Sequence, residues 1–161
     1  MRIVNIADHP EFIETVARWQ WGEWGGDPTD SLTARIASLR DQTDPDRIPT
    51  TYLALDDGEA LGAASLVEED MSTHRELSPW LASVYVAPVA RGRGVASALV
   101  RHAVAQAATM SVARLYLYTP DAQGLYAKLG WQGIATENFE GHPVIIMAID
   151  PVPEPAPVPD P

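Results

Sequence analysis

The chain has 161 residues, 46% of them hydrophobic, enough for one domain with a proper core, and its lack of cysteine removes disulfide frameworks, thiolate metal sites and cysteine nucleophiles. A net charge of −11 argues against nucleic acid as a partner, because phosphate binding draws on clusters of Lys and Arg. No apolar stretch approaches the roughly 18 residues of a membrane span, and Met1-Arg2-Ile3-Val4 runs into acidic and polar residues, unlike a secretory leader. The expectation is a cytoplasmic protein with no membrane partner and no metal.

In chain order, residues 2–6 read as a short strand. Residues 10–24 have helical spacing, with Phe12, Ile13, Val16, Trp19 and Gln20 along one side and a stop at Gly25-Gly26. Asp30 or Ser31 can cap a second helix that runs to Leu39, with Leu32, Ile36 and Leu39 on one face. A loop follows from Asp44-Pro45 to Pro49. Residues 52–55 and 60–67, split by Asp56-Asp57-Gly58-Glu59, signal a β-hairpin. Residues 68–78 are polar and irregular and are expected to cross the surface.

The second half alternates strand and helix. The apolar run 81–86 ends at Pro88, and Arg91-Gly92-Arg93-Gly94-Val95-Ala96 leads into a helix over 95–109 with a stripe of Leu99, Val100, Ala103 and Val104. A glycine-rich turn feeding a helix leaves N–H groups unpaired at the positive end of the helix dipole, which makes a cradle for an anion such as a pyrophosphate. Arg91, Arg93 and Arg101 make this end locally basic. The same run could be a plain strand-to-helix connection. It is not a dinucleotide fingerprint, since Ser97 stands where the third glycine belongs, nor a P-loop, since Val95 follows Gly94 where Lys is required. Beyond it, 113–118 reads as a strand, 121–129 as a short helix ended by Gly130, and 131–136 with 144–149 as an antiparallel pair. Residues 151–161 are Pro-rich and acidic, expected to form a disordered or polyproline tail after a domain over 1–150.

The spacing R-x-x-G-x-A behind V-Y-V-A-P resembles the acetyl-CoA signature of the GNAT N-acetyltransferase family, Q/R-x-x-G-x-G/A. Leu125-Tyr126-Ala127-Lys128-Leu129-Gly130-Trp131 is similar to the family's late Y-x-x-x-G-F/W element. Periodicity alone licenses an α/β or α+β single domain. The resemblance implies the GNAT fold, a mixed sheet in the order β-α-α-β-β-β-α-β-α-β-β with a splayed parallel strand pair at the cofactor site. It also implies acetyl-CoA as cosubstrate and an amine acceptor, with the protein a monomer or homodimer. Carried over residue by residue, Val84, Tyr85 and Val86 match the strand that meets the pantetheine and thioester. Arg91, Gly92, Arg93, Gly94, Val95, Ala96 and Ser97 match the pyrophosphate loop, and Tyr126 matches the tyrosine beside the sulfur.

Acetyl transfer from a thioester to an amine requires a neutral amine, a polarised carbonyl and a proton for the leaving thiolate. Tyr126 is the expected general acid, and backbone N–H groups of 84–86 can polarise the carbonyl. Candidate bases are Glu68, Glu69 and Asp70, with His74 nearby and His142 further on; each is also readable as a solvated surface residue. Asp121 reads as a helix N-cap. Trp19, Trp21 and Trp24 form an aromatic cluster, in which Trp21 and Trp24 can stack on an acceptor or serve only helix packing. Trp21, Trp24, Glu69 and His142 are therefore the candidate acceptor residues. Short E-W-G and T-P-D-x-x-x-x-Y runs look like the branch of the family that acetylates protein N-termini. The rival reading is a non-catalytic acyl-CoA sensor or interaction module, for which a proton donor at position 126 has no use; a toxin acting on aminoacyl-tRNA fits poorly with −11 net charge.

Overall fold

In the computed structural model, which describes residues 1–25 and 31–153, the elements run β1 (Arg2–Asn5), α1 (Ile13–Trp24), α2 (Leu32–Asp41), β2 (Thr50–Asp56), β3 (Glu59–Val67), β4 (Trp80–Val86), α3 (Val95–Thr109), β5 (Leu115–Thr119), α4 (Gln123–Lys128), β6 (Gln132–Phe139) and β7 (His142–Ile149). This is the expected order. The strands form one mixed sheet, β1-β2-β3-β4-β5-β7-β6, antiparallel except where β4 lies parallel to β5. Residues 26–30 and 154–161 are outside the described residues, and with them Gly26 and Asp30 and most of the expected tail.

The sheet is covered on both faces, which is why β2 is buried almost throughout. Its alternate residues serve different cores. Tyr52 and Ala54 pack with Leu99, Val100, Ala103 and Ala107 of α3, while Leu53 and Leu55 pack with Ile13, Val16, Ala17 and Leu39 of α1 and α2. At position 62 the β4 backbone approaches so closely that a Cβ would sit 2.5 Å from the Tyr85 carbonyl oxygen, so glycine is required there.

Local signals explain most boundaries. Pro10 opens a short 3-10 turn over Pro10–Phe12, so the α-helical pattern starts at Ile13 rather than at 10. Ser31 caps α2, its Oγ accepting from the Ala34 N–H at 3.0 Å. Ser31→Ala is expected to lower stability by about 1 kcal/mol, read from denaturant midpoints.

Two expectations are corrected. The 68–79 connection does not simply cross the surface. Met71 is fully buried in a third cluster with Trp80, Phe139, Val144 and Ile146, which pins the loop to the sheet. Asp121 does not cap α4; Ala122 is the capping residue, without a side-chain bond from the cap, and its N–H donates instead to Thr119 Oγ1 at 3.0 Å.

Candidate active site

β4 and β5 pair at Trp80 and Tyr116 and do not pair further along among the described residues. The reason lies in β4. Ser83 has φ +55, a left-handed conformation costly for a residue with a Cβ, and the β3–β4 register slips between Ala63 and Ser65. An extra residue in one strand bends it and ends its ladder. The C-terminal ends of β4 and β5 diverge around a cleft of about 520 Å³, walled by Ser83 and Val84 on one side and by Leu117, Tyr118 and Thr119 on the other.

Past the C-terminal end of β4, the turn into α3 has the form of an anion cradle. Gly92 and Gly94 both take φ +78, and a Cβ at either would meet nothing within 4 Å, so the turn is open to solvent. The first backbone bond of α3 runs from the Ala98 N–H to the Gly94 carbonyl at 3.1 Å, which leaves the N–H groups of Val95, Ala96 and Ser97 without helical acceptors. Val95 turns its side chain into the core and presents only backbone. Arg91 braces the turn: Nε donates to the Val86 carbonyl at 3.1 Å, and the guanidinium lies 5.9 Å over the Tyr85 ring. Arg93 reaches Asp56 at 3.6 Å. The free N–H groups of this cradle fit a pyrophosphate, and the backbone left unpaired where β4 and β5 diverge suits the amides of a pantetheine arm. Gly94→Val forces a branched residue into φ +78 and puts bulk beside those N–H groups. The expected outcome is a CoA affinity at least about tenfold weaker by calorimetry, with a melting point lowered by only a few degrees.

Tyr126 of α4 lines the cleft and is 7% exposed, packed edge-on against Trp131 at 6.1 Å. Burial, then the charge of Asp121, push its phenol up to about 12. Trp24 stands at the cleft rim with nearly half its surface exposed, edge-on to Tyr85 at 6.4 Å, and Trp19 lies on the same tyrosine at 5.4 Å. Trp21 is equally exposed and does not line the cleft.

Of the acidic run behind β3, the residue that reaches the cleft is Asp70. Burial, then the Glu140 carboxylate, push it up to about 7. Glu69 points away and pairs with Arg75 at 2.9 Å. His74 is engaged at both ring nitrogens, with Glu76 at 2.9 Å and Glu137 at 2.7 Å, and these bonds raise its pKa. His142 is exposed at the start of β7 and lies outside the cleft. The same hairpin supplies Glu140 instead, at a turn where Glu140 and Gly141 take φ +51 and +82. With Glu23, Asp70, Asp121 and Glu140 on its walls and Arg35 as the cation, the cleft is strongly acidic. No group of three or more possible metal ligands occurs, and no helix is long and apolar enough to cross a membrane, among the described residues.

A model of the acetyltransferase (GNAT) family matches residues 13–131. No curated protein matches the sequence. Among solved structures, the fold is similar to an aminoglycoside 6'-N-acetyltransferase complexed with coenzyme A, at a TM-score of 0.75 and 16% identity over 97% of this chain and all of that one. It is similar to the aminoglycoside 6'-N-acetyltransferase from Enterococcus faecium, at 0.73 and 16% over 97% and 100%. It is also similar to a ribosomal-protein-alanine N-acetyltransferase from Brucella melitensis, at 0.69 and 20% over 93% and 99%.

Proposed function

The chain belongs to the acetyltransferase (GNAT) family, and from that premise we propose that it moves the acetyl group of acetyl-CoA directly to a cationic primary amine, with Tyr126 as general acid and Asp70 as general base. The observation that carries this reading is one cleft holding, on its walls, a carboxyl near 7 and a buried phenol. β4, whose Ser83 and Val84 wall that cleft, leads through Pro88–Ala90 into the glycine turn at the start of α3.

The acceptor must arrive as an ammonium and react as an amine. At pH 7 an α-amine of pKa near 7.7–8.0 is roughly one-tenth neutral, and a lysine-like amine near 10.4 is neutral about once in 2,500. Asp70 answers that need, since a carboxyl near 7 is half ionised at neutral pH and can take the ammonium proton. Glu23, Asp121 and Glu140 attract the cation, and Trp24 offers it a ring face at the rim.

The other two requirements fall to β4 and α4. Backbone N–H groups freed where β4 bulges at Ser83–Val84 can donate to the oxygen that gains charge as the amine attacks. Tyr126 gives its proton to the departing sulfur. A phenol near 12 stays protonated across the assay range, and the burial that raises it raises the basicity of a thiolate in the same cleft, so the transfer is matched rather than strongly uphill. Bonds balance without a covalent enzyme intermediate: C–N forms and C–S breaks, the ammonium proton goes to Asp70, and the phenol proton goes to sulfur. The second proton that the nitrogen sheds on becoming an amide restores the phenol, and Asp70 releases its proton to solvent.

A panel of peptides with free N-termini, polyamines, aminoglycosides, and alcohols of matched size tests the acceptor class by CoA release. Turnover is expected with cationic amines and not with alcohols. Binding of acetyl-CoA with no release across all amines would favour the sensor reading.

A further inference from the structure

The loop between β3 and β4 brings Asp70 to the cleft, and the β6–β7 hairpin brings Glu140. The two carboxyls act on each other, since the Glu140 charge follows burial as a cause of the raised Asp70 value. Like charges in one cleft repel, which favours swinging the hairpin tip away. The hairpin offers little resistance of its own. β6 is an edge strand, its ladder to β7 slips between Gly133 and Ala135, and residues 132–136 are exposed. Met71 packs with Phe139 and Val144 near the hairpin's end, but apolar packing is non-directional and does not fix how two carboxyls face.

His74, further along the same loop, supplies a directional link. Its Nδ1 faces Glu76 Oε1 at 2.9 Å, and its Nε2 faces Glu137 Oε1 of β6 at 2.7 Å. Ionised carboxylates only accept, so both nitrogens must donate, and the imidazolium is the form with two N–H groups. A contact of 2.7 Å has the length of a charge-assisted bond. The charged groups acting on His74 are Glu76 from its own loop and Glu137 from β6, and both raise its pKa. Elsewhere on the loop, Glu69 pairs with Arg75 at 2.9 Å, while His142 of β7 lies across from Phe139. The backbone around the ring is also held. The His74 N–H donates to the Met71 carbonyl at 3.0 Å, the Leu77 N–H donates to the His74 carbonyl at 3.1 Å, and Ser78 Oγ closes the loop on the Glu68 carbonyl at 2.6 Å.

We propose that His74 is a positioning residue: as an imidazolium it ties the loop bearing Asp70 to the hairpin bearing Glu140, and so keeps the two carboxyls facing each other in the cleft. The inference rests on the reading of Asp70 as general base and adds how that base is kept basic. The clamp is closed below the raised His74 value and opens as pH rises through it. A neutral ring keeps one N–H and turns a lone pair towards one of the two carboxylates. Once the clamp opens, Glu140 withdraws, and Asp70 retains the part of its shift that burial supplies.

His74→Ala, Glu137→Ala and the double variant test this in the intact chain, and Glu137→Gln, of similar volume, repeats the comparison if Ala disturbs the strand. With isotopically labelled protein, the Asp70 carboxyl titration followed by NMR should move down by about one pH unit in each single variant, and no further in the double. The acid limb of kcat/KM should move with it. In wild type at pH 7 the His74 ring should carry protons on both nitrogens. An Asp70 titration unmoved in the single variants, whatever their melting temperatures, would show a merely structural bridge and overturn the inference. A neutral His74 ring at pH 7 would overturn it as well. A shifted carboxyl titration beside an unmoved kcat/KM limb would uphold the clamp and remove Asp70 as the base, so the two readings fail separately.

Discussion

Tyr126→Phe is expected to lower kcat by about a hundredfold to a thousandfold where chemistry limits the rate, with KM for the amine nearly unchanged. The ring keeps its edge-on contact with Trp131 and its place in the wall of the cleft, so folding and binding survive. What is lost is one proton, and a positioned general acid contributes about 10²–10⁴. The alkaline side adds a check. With the phenol held near 12, wild-type kcat should show no loss of the acid through pH 10. An unchanged kcat in the variant would remove Tyr126 from the chemistry.

Asp70→Asn should act in opposite directions on activity and stability. At pH 7 kcat/KM is expected to fall by about a hundredfold, and the wild-type limb with an apparent value near 7 should disappear. The acceptor's own ionisation is common to both proteins and cancels in the ratio of their profiles. Stability follows from the raised pKa. Against an unfolded value near 3.9, a folded carboxyl near 7 gives stability that is fully present below about pH 4 and lost as pH rises through 7. Asparagine does not titrate. The variant's melting temperature should therefore gain on wild type between pH 4 and pH 8, each tenfold difference between the folded and unfolded ionisation constants being worth about 1.4 kcal/mol. A pH-independent difference would show that Asp70 is not the buried, raised group of the cleft.

Much of this architecture is legible in the sequence because it is local. The helix of Leu99, Val100, Ala103 and Val104 follows from spacing, the β2–β3 hairpin from Asp57-Gly58, and the anion cradle from Gly92 and Gly94 ahead of a helix. The site's carboxylates are legible only in part, because tertiary anchors aim them. Asp70, Glu69 and Glu68 are equivalent in sequence, and Met71 decides between them by sinking into the third core and turning its neighbour inward. A single methionine in a polar loop was the available signal. Glu140 gave less. Glu-Gly is an unusual pair for a tight hairpin turn, so both strands extend further than their apolar residues suggest, and the hairpin's contribution shifts from His142 to Glu140. The strained Ser83 at the bulge has no local signature at all, since the register slip arises from pairing with β3.

Direct acetyl transfer from acetyl-CoA to an amine in this cleft dictates where an isotopically labelled acetyl group must end. Wild type is incubated with labelled acetyl-CoA and the amine panel, and both products and protein are followed by mass spectrometry. The expected result is label on the nitrogen of a primary amine, one CoA released per label, none retained on the protein, and strongly slowed transfer in Tyr126→Phe and Asp70→Asn. Label held covalently on the protein, or acetyl-CoA bound with no label on any amine, is incompatible with direct transfer and would overturn it.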